Sequence, residues 1–207
     1  GLKYRTVGYT KHYRLDIDGL KRNIDDRTVL VFLPNPNVPI EGTLDIGQLA
    51  DIADYCAKRG AFLAVDEVYY PFGGPTAVGL IANHENIFVI RSFSKAFGLA
   101  GIRVGYLLGS RKNIEYVSKV RTGYETNSVS AEIASFFIDN YRIVKDYIAE
   151  VKEGLAYLKK EFCKLNLEFT SGKTANFVYV DMGDRSVAEK VVAGLKQRNI
   201  FIRGGWP

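Results

Sequence analysis

The chain has 207 residues, 47% of them hydrophobic, and carries a formal net charge of +5. That length supports one sizeable core, or one domain plus part of a second. Charges are dispersed with no run of five of one sign, Cys56 and Cys163 lie far apart, His12 and His84 are isolated, and no apolar run approaches ~18 residues; these features argue against a nucleic-acid patch, a disulfide framework, a metal site and a membrane span.

In chain order, the segment Leu2-Lys3-Tyr4-Arg5-Thr6-Val7 reads as strand-like. Short apolar runs at 28–33, 61–65, 87–90 and 104–108 read as buried strands. Between the first two, residues 45–59 predict a helix with Ile46, Leu49, Ala50, Ala53, Cys56 and Ala57 on one face. Asp45 with Gln48 forms a capping-box pattern, Gly60 supplies the stop, and Cys56 is then a small core residue. Helices at 130–140 and 143–165 follow, the second with a stripe of Ile148, Val151, Leu155, Leu158 and Phe162. A strand at 176–181, a helix at 186–198 and a strand at 200–203 complete the reading. Strand, helix and strand at this spacing imply right-handed crossovers and an α/β fold with a mainly parallel sheet. The boundary is placed in the long helix, giving units 1–147 and 148–207. The chain starts at Gly1 on a strand-like segment, its sole methionine is Met182, and it stops at Trp206-Pro207; the expectation is a piece of a longer protein.

Ligands of parallel α/β sheets bind at the carboxyl ends of strands, and three such ends are polar. They are Pro34-Asn35-Pro36-Asn37-Val38-Pro39, Asp66-Glu67-Val68-Tyr69, and the stretch from Arg91-Ser92-Phe93-Ser94-Lys95 to Gly98-Leu99-Ala100-Gly101-Ile102-Arg103. Ser92 and Ser94, leading into a glycine-rich turn, suit a phosphate, and Arg103 can add a bidentate charge. A lysine held beside them suits a Schiff base with an aldehyde cofactor.

These three ordered motifs resemble those of fold-type I pyridoxal-phosphate enzymes, the class I/II aminotransferases, and within them the histidinol-phosphate aminotransferase-like group. Ser128-Val129-Ser130 at a helix start and Ala175-Asn176-Phe177 late in the chain extend the likeness through nearly the whole sequence. The resemblance implies the large domain of that fold, a three-layer α/β/α sandwich, plus part of a smaller α/β C-terminal domain. It implies pyridoxal 5'-phosphate as cofactor, with Lys95 as its covalent partner and then the base that moves the substrate proton. Asp66 pairs with the ring nitrogen, Tyr69 bonds the ring hydroxyl with Asn37 as a second candidate, and Ser92, Ser94 and Arg103 hold the phosphate. Arg203 matches an arginine that contacts a substrate phosphate. The expected reaction is amino transfer between a small-molecule donor and a keto acceptor, with decarboxylation of an amino-acid phosphate as the alternative and a catalytically silent binding protein as a remote one. The family also implies a homodimer; the two separated cysteines and isolated histidines make reduced, cytoplasmic thiols without a metal the expectation.

Simpler roles exist for single residues: a helix N-cap for Asp66, a packed aromatic for Tyr69, a surface ion pair for Arg103 and a rim charge for Arg203. There are also departures. Val38 stands where the family has asparagine and cannot donate a hydrogen bond to the ring hydroxyl. Ile40-Glu41 replaces Thr-Gly, with Gly42 one place late, and Arg121-Thr122-Gly123-Tyr124-Glu125 differs from the Pro-Tyr-Asn of histidinol-phosphate enzymes. A donor other than histidinol phosphate is therefore expected. A nucleotide triphosphatase, suggested by Val65-Asp66-Glu67 and Ser171-Gly172-Lys173-Thr174, is disfavoured. Leu167 occupies the place of the loop's first glycine, and the loop follows the acidic strand instead of preceding it.

Overall fold

The computed structural model describes residues 3–123 and 125–205. Leu2 of the first strand-like segment and Tyr124 of the 121–125 stretch lie outside them. Residues 3–7 form no strand. The first regular element is helix α1, Ile17–Arg22, whose N-cap Asp16 accepts from Gly19 N–H.

Strand β1, Leu30–Pro34, leads to helix α2, Ile46–Ala57, and strand β2, Phe62–Asp66. The α2 capping box is present as the sequence indicated: Asp45 Oδ1 accepts from Gln48 N–H at 2.8 Å, and Gln48 Oε1 accepts from Asp45 N–H at 3.0 Å. Leu49, Ile52, Ala53 and Cys56 form its buried face, whereas Ile46 and Ala57 are exposed. The stripe is rotated because Ile52, one turn from Cys56, joins Leu49 against the sheet. Gly60 turns the chain into β2 with φ +70°.

Strand β3, Ile87–Ser92, pairs in parallel with β2, as β2 does with β1. Strand β4, Gly105–Gly109, is antiparallel to β3. The four-stranded sheet has the order β1-β2-β3-β4. β4 reverses because the 93–104 loop carries no crossover helix, only a short 3-10 turn at Ala100–Ile102. Gly105 permits the close return: a Cβ there would stand 2.9 Å from Arg91 O.

Helices α3 (Arg111–Ser118), α4 (Ser128–Asp139) and α5 (Tyr141–Lys164) follow. Strands β5 (Glu168–Thr170) and β6 (Tyr179–Asp181) make an antiparallel pair, and helix α6, Arg185–Gln197, ends the regular structure. Two expectations fail here. Residues 200–203 form no strand, and the late strand covers only the last part of 176–181. On α5, Ile148 and Leu155 are buried but Leu158 is exposed.

Among the described residues, two clusters hold the fold. One joins α1 and α2 to one sheet face through Leu20, Leu49, Ile52, Leu63, Val65 and Val89; full burial of each large aliphatic side chain is worth roughly 1.5–3 kcal/mol. The other gathers Tyr69, Phe72, Ala96, Val144, Ile148 and Ala175 beneath the carboxyl end of the sheet. On the opposite face of β1, Leu30 and Phe32 are 52% and 55% exposed.

Candidate active site

The parallel register places the ends of β2 and β3 side by side, with Asp66 opposite Ile90. Side chains alternate between faces along a strand, so Asp66 and Ser92 share one face, while Glu67 and Arg91 share the other.

On the second face, Glu67 is fully buried and fully bonded. Thr76 Oγ1 donates to it at 2.7 Å, Ala77 N–H at 2.6 Å and Arg91 Nη2 at 3.0 Å. Arg91 also stacks on Tyr70, 3.6 Å from the ring centroid. This ion pair crosses from β2 to β3 directly beneath the predicted cofactor residues. Sequence reasoning quoted both charges in its motifs without pairing them, although opposite signs at matched positions on two adjacent apolar strands signal such a pair.

On the first face, Asp66 accepts from Val68 N–H at 3.2 Å. Burial pushes its carboxyl above the usual aspartate value, opposed by the Val68 hydrogen bond and by the Lys95 charge. The N-cap alternative is not realised: the short 3-10 turn that follows, Tyr70–Phe72, has Tyr69 at its N-cap and no side-chain cap bond, and the Asp66–Val68 bond is local to the strand end.

The Lys95 turn is knit by Gly98 N–H to Lys95 O at 3.0 Å and Leu99 N–H to Phe93 O at 3.1 Å, with Gly98 at φ +69°. Ala96 is buried in the second cluster, which anchors the turn and leaves Lys95 half-buried. Its Nζ lies 5.3 Å from the centre of the Tyr69 ring. Tyr69 is itself buried and meets Phe177 edge-on at 5.5 Å, so it is both a packed aromatic and the neighbour of the lysine.

Ser92 Oγ accepts from Ser94 N–H at 3.0 Å and donates to Val104 O at 3.4 Å. Arg103 is exposed, with φ +57°, and its Nη1 donates to Ala100 O at 3.1 Å. Among the described residues it has no carboxylate partner, so the ion-pair alternative is not realised.

The Asn-Pro turn is tied to Asp66, because Asn35 N–H donates to Asp66 O at 2.9 Å. Asn35, buried, closes the loop through Leu44 N–H at 2.9 Å. Asn37 N–H donates to Gly42 O at 2.8 Å, while Asn37 Oδ1 is buried and, among the described residues, without a partner. Tyr9, which the sequence reading did not single out, adjoins it: burial pushes its hydroxyl up to about 12, and the Asn37 amide opposes that shift. Val38 is 38% exposed.

The structure therefore groups Lys95, Tyr69 and Asp66, with Ser92 and Ser94 at the adjoining strand end and Asn37 tethered through Asn35. Arg203 is not at a strand end. It lies exposed in irregular chain after α6, since the strand that was to carry it does not form. The Ser171–Thr174 string is followed by irregular chain and not by a helix, which removes the phosphate-loop alternative.

A sequence model described as "Aminotransferase class I and II" matches residues 1–206. Histidinol-phosphate aminotransferase of Thermotoga neapolitana is 33% identical over 204 residues, covering 98% of this chain and 57% of that protein. The enzyme of the same name from Thermoanaerobacter pseudethanolicus is 35% identical over 199 residues, covering 95% and 54%. The crystal structure of histidinol-phosphate aminotransferase from Sinorhizobium meliloti in complex with pyridoxal-5'-phosphate superposes with a TM-score of 0.87 at 26% identity, covering 98% of this chain and 56% of that one. The chain thus spans little more than half the length of the curated relatives it matches. Its sequence match over residues 1–206 and its fold place this chain in the class I and II aminotransferase family.

Proposed function

We propose that the protein is a pyridoxal-phosphate-dependent aminotransferase, moving an amino group from a small-molecule donor to a keto acceptor. The observation that carries this reading is the grouping of Lys95 with Tyr69 and Asp66 at the carboxyl ends of β2 and β3. The donor set fits the cofactor: an ammonium for its aldehyde, a carboxylate for its ring nitrogen, and two hydroxyls with a guanidinium for its phosphate. When bound, pyridoxal phosphate supplies an electron sink.

The chain's own residues then have defined tasks. Lys95 Nζ anchors the cofactor and afterwards carries the proton to and from the substrate carbon. Asp66, held by Val68 N–H, keeps the ring nitrogen charged. Tyr69 bonds the ring hydroxyl, with Asn37 as second partner because Val38 has no donor. Ser92, Ser94 and Arg103 fix the phosphate.

The relatives are named aminotransferases, which supports amino transfer over decarboxylation, and the retention of Lys95, Asp66 and Arg103 supports an active enzyme. Val38 and the 121–125 stretch support a donor other than histidinol phosphate. A phosphorylated amine remains the proposed class; a phosphate contact by Arg203 rests on the resemblance alone. Residues 1–147 belong, in this reading, to the cofactor-binding domain and 148–207 to the smaller one. The whole protein acts as a cytoplasmic homodimer without nucleic-acid or membrane partners.

The test is turnover of the full-length protein, loaded with pyridoxal phosphate, on a panel of phosphorylated and free amines. A keto product without carbon dioxide is expected, with histidinol phosphate not the best donor. Carbon dioxide release, or no turnover of any amine, contradicts the reading.

A further inference from the structure

Glu41 occupies the irregular part of the Asn-Pro turn. It is only 6% exposed and holds φ +53°, a backbone region disfavoured for residues with a side chain and kept only where surroundings impose it. Its surroundings do. The carboxylate accepts from Gly172 N–H at 2.5 Å, Thr174 N–H at 2.6 Å and Thr174 Oγ1 at 2.9 Å. Lys159 Nζ grips the same loop through Gly172 O at 2.7 Å. A Cβ on Gly172 would stand 2.5 Å from Glu41 Oε1, so the loop needs glycine there to receive the carboxylate. The Ser171-Gly172-Lys173-Thr174 string, which resembles half a phosphate loop, thus binds an anion from its own chain.

Both ends of this clasp lead to the site. On one side Glu41 N–H donates to Asn37 O at 2.9 Å and Asn37 N–H to Gly42 O. On the other, Ala175 is buried with Tyr69 and Ala96, and Phe177 packs on Tyr69.

We infer that Glu41 is a positioning residue for the proposed reaction: its carboxylate ties the 37–42 turn to the 170–177 segment and so holds Asn37 in register with Tyr69, the aromatic neighbour of Lys95. This rests on the functional reading above, and it assigns to Glu41 a role in substrate affinity more than in the chemical step.

The experiment uses the full-length protein with Glu41→Gly, which removes the clasp while relieving the left-handed backbone, and Thr174→Val, which removes one donor. Amide hydrogen exchange of the apoprotein is measured at Gly172 and Thr174, together with kcat and KM for the best amine of the panel. For Glu41→Gly, exchange at both amides is expected to quicken at least ~10-fold, and KM to rise ~10-fold with kcat within ~3-fold. Thr174→Val is expected to move both in the same direction by less. Unchanged exchange, an unchanged KM, or a loss confined to kcat overturns the positioning role alone. If the unsubstituted protein shows no absorbance from lysine-bound cofactor, the functional reading fails and the positioning role falls with it.

Discussion

Asp66 and Glu67 are neighbours in the chain yet serve opposite faces of the sheet. Asp66 faces Lys95, and Glu67 is sealed beneath it against Arg91. The polar strand end that reads as one acidic motif is two devices, one proposed for chemistry and one holding β2 to β3. The buried pair fixes the strand ends on which Asp66 and Ser92 stand.

Removing one partner of a buried, fully bonded ion pair leaves a charge without compensation. Glu67→Ala is expected to destabilise the protein by about 3–5 kcal/mol, a fall in Tm of roughly 6–20 °C. Replacing both partners by apolar residues, Glu67→Leu with Arg91→Met, is expected to recover much of that loss. Calorimetry of the two variants checks this, and a Glu67→Ala protein as stable as the parent contradicts the assigned role.

Asp66 gives a pH signature. Burial raises its folded pKa above the usual value of about 3.9. The protonated form therefore favours the folded apoprotein: stability is greatest below that value and declines as pH rises through the folded pKa. Asp66→Asn is expected to remove this decline, so that denaturant unfolding of the apoproteins at a series of pH values shows the variant gaining on the parent as pH rises. With the cofactor present the same substitution should cost about 10²–10³ in kcat, the scale for losing one preorganised electrostatic partner. A stability gap that does not change with pH contradicts the account of the site's electrostatics.

The two cysteines should differ in reactivity. Cys56 is buried on α2, and burial pushes its thiol up to about 11, whereas Cys163 is exposed. Since the thiolate is the reactive form, a thiol reagent at neutral pH is expected to modify Cys163 in the native protein and Cys56 only after unfolding. Rapid modification of both in the native state contradicts the packing described for α2.

Much of this was legible in the sequence because local rules and tertiary structure agree there. The apolar runs of β1, β2 and β3, the Asp45 capping box and the Gly60 stop each act within a few residues. The grouping of Lys95, Tyr69 and Asp66 was legible through ordered motifs, each at a strand end. What escaped depends on partners far away in the chain. Glu41 has its partners at Gly172 and Thr174, and the pairing of Glu67 with Arg91 needs the strand register. The 200–203 run is apolar enough for a strand, but among the described residues it has no pairing strand. β4 is antiparallel because of what the 93–104 loop lacks, a feature that the apolar content of the strand does not encode. Val38, visible from the start, is a departure from the family's asparagine, and the proposed consequence is a changed choice of substrate.

The most direct test of the central claim is chemical trapping of the lysine. Full-length protein is incubated with pyridoxal phosphate, reduced with borohydride and digested, and the modified peptide is identified by mass spectrometry. A single phosphopyridoxyl adduct on Lys95 is expected, lost in Lys95→Ala together with the visible absorbance band. An adduct on another lysine, or the same band and labelling in Lys95→Ala, would contradict it.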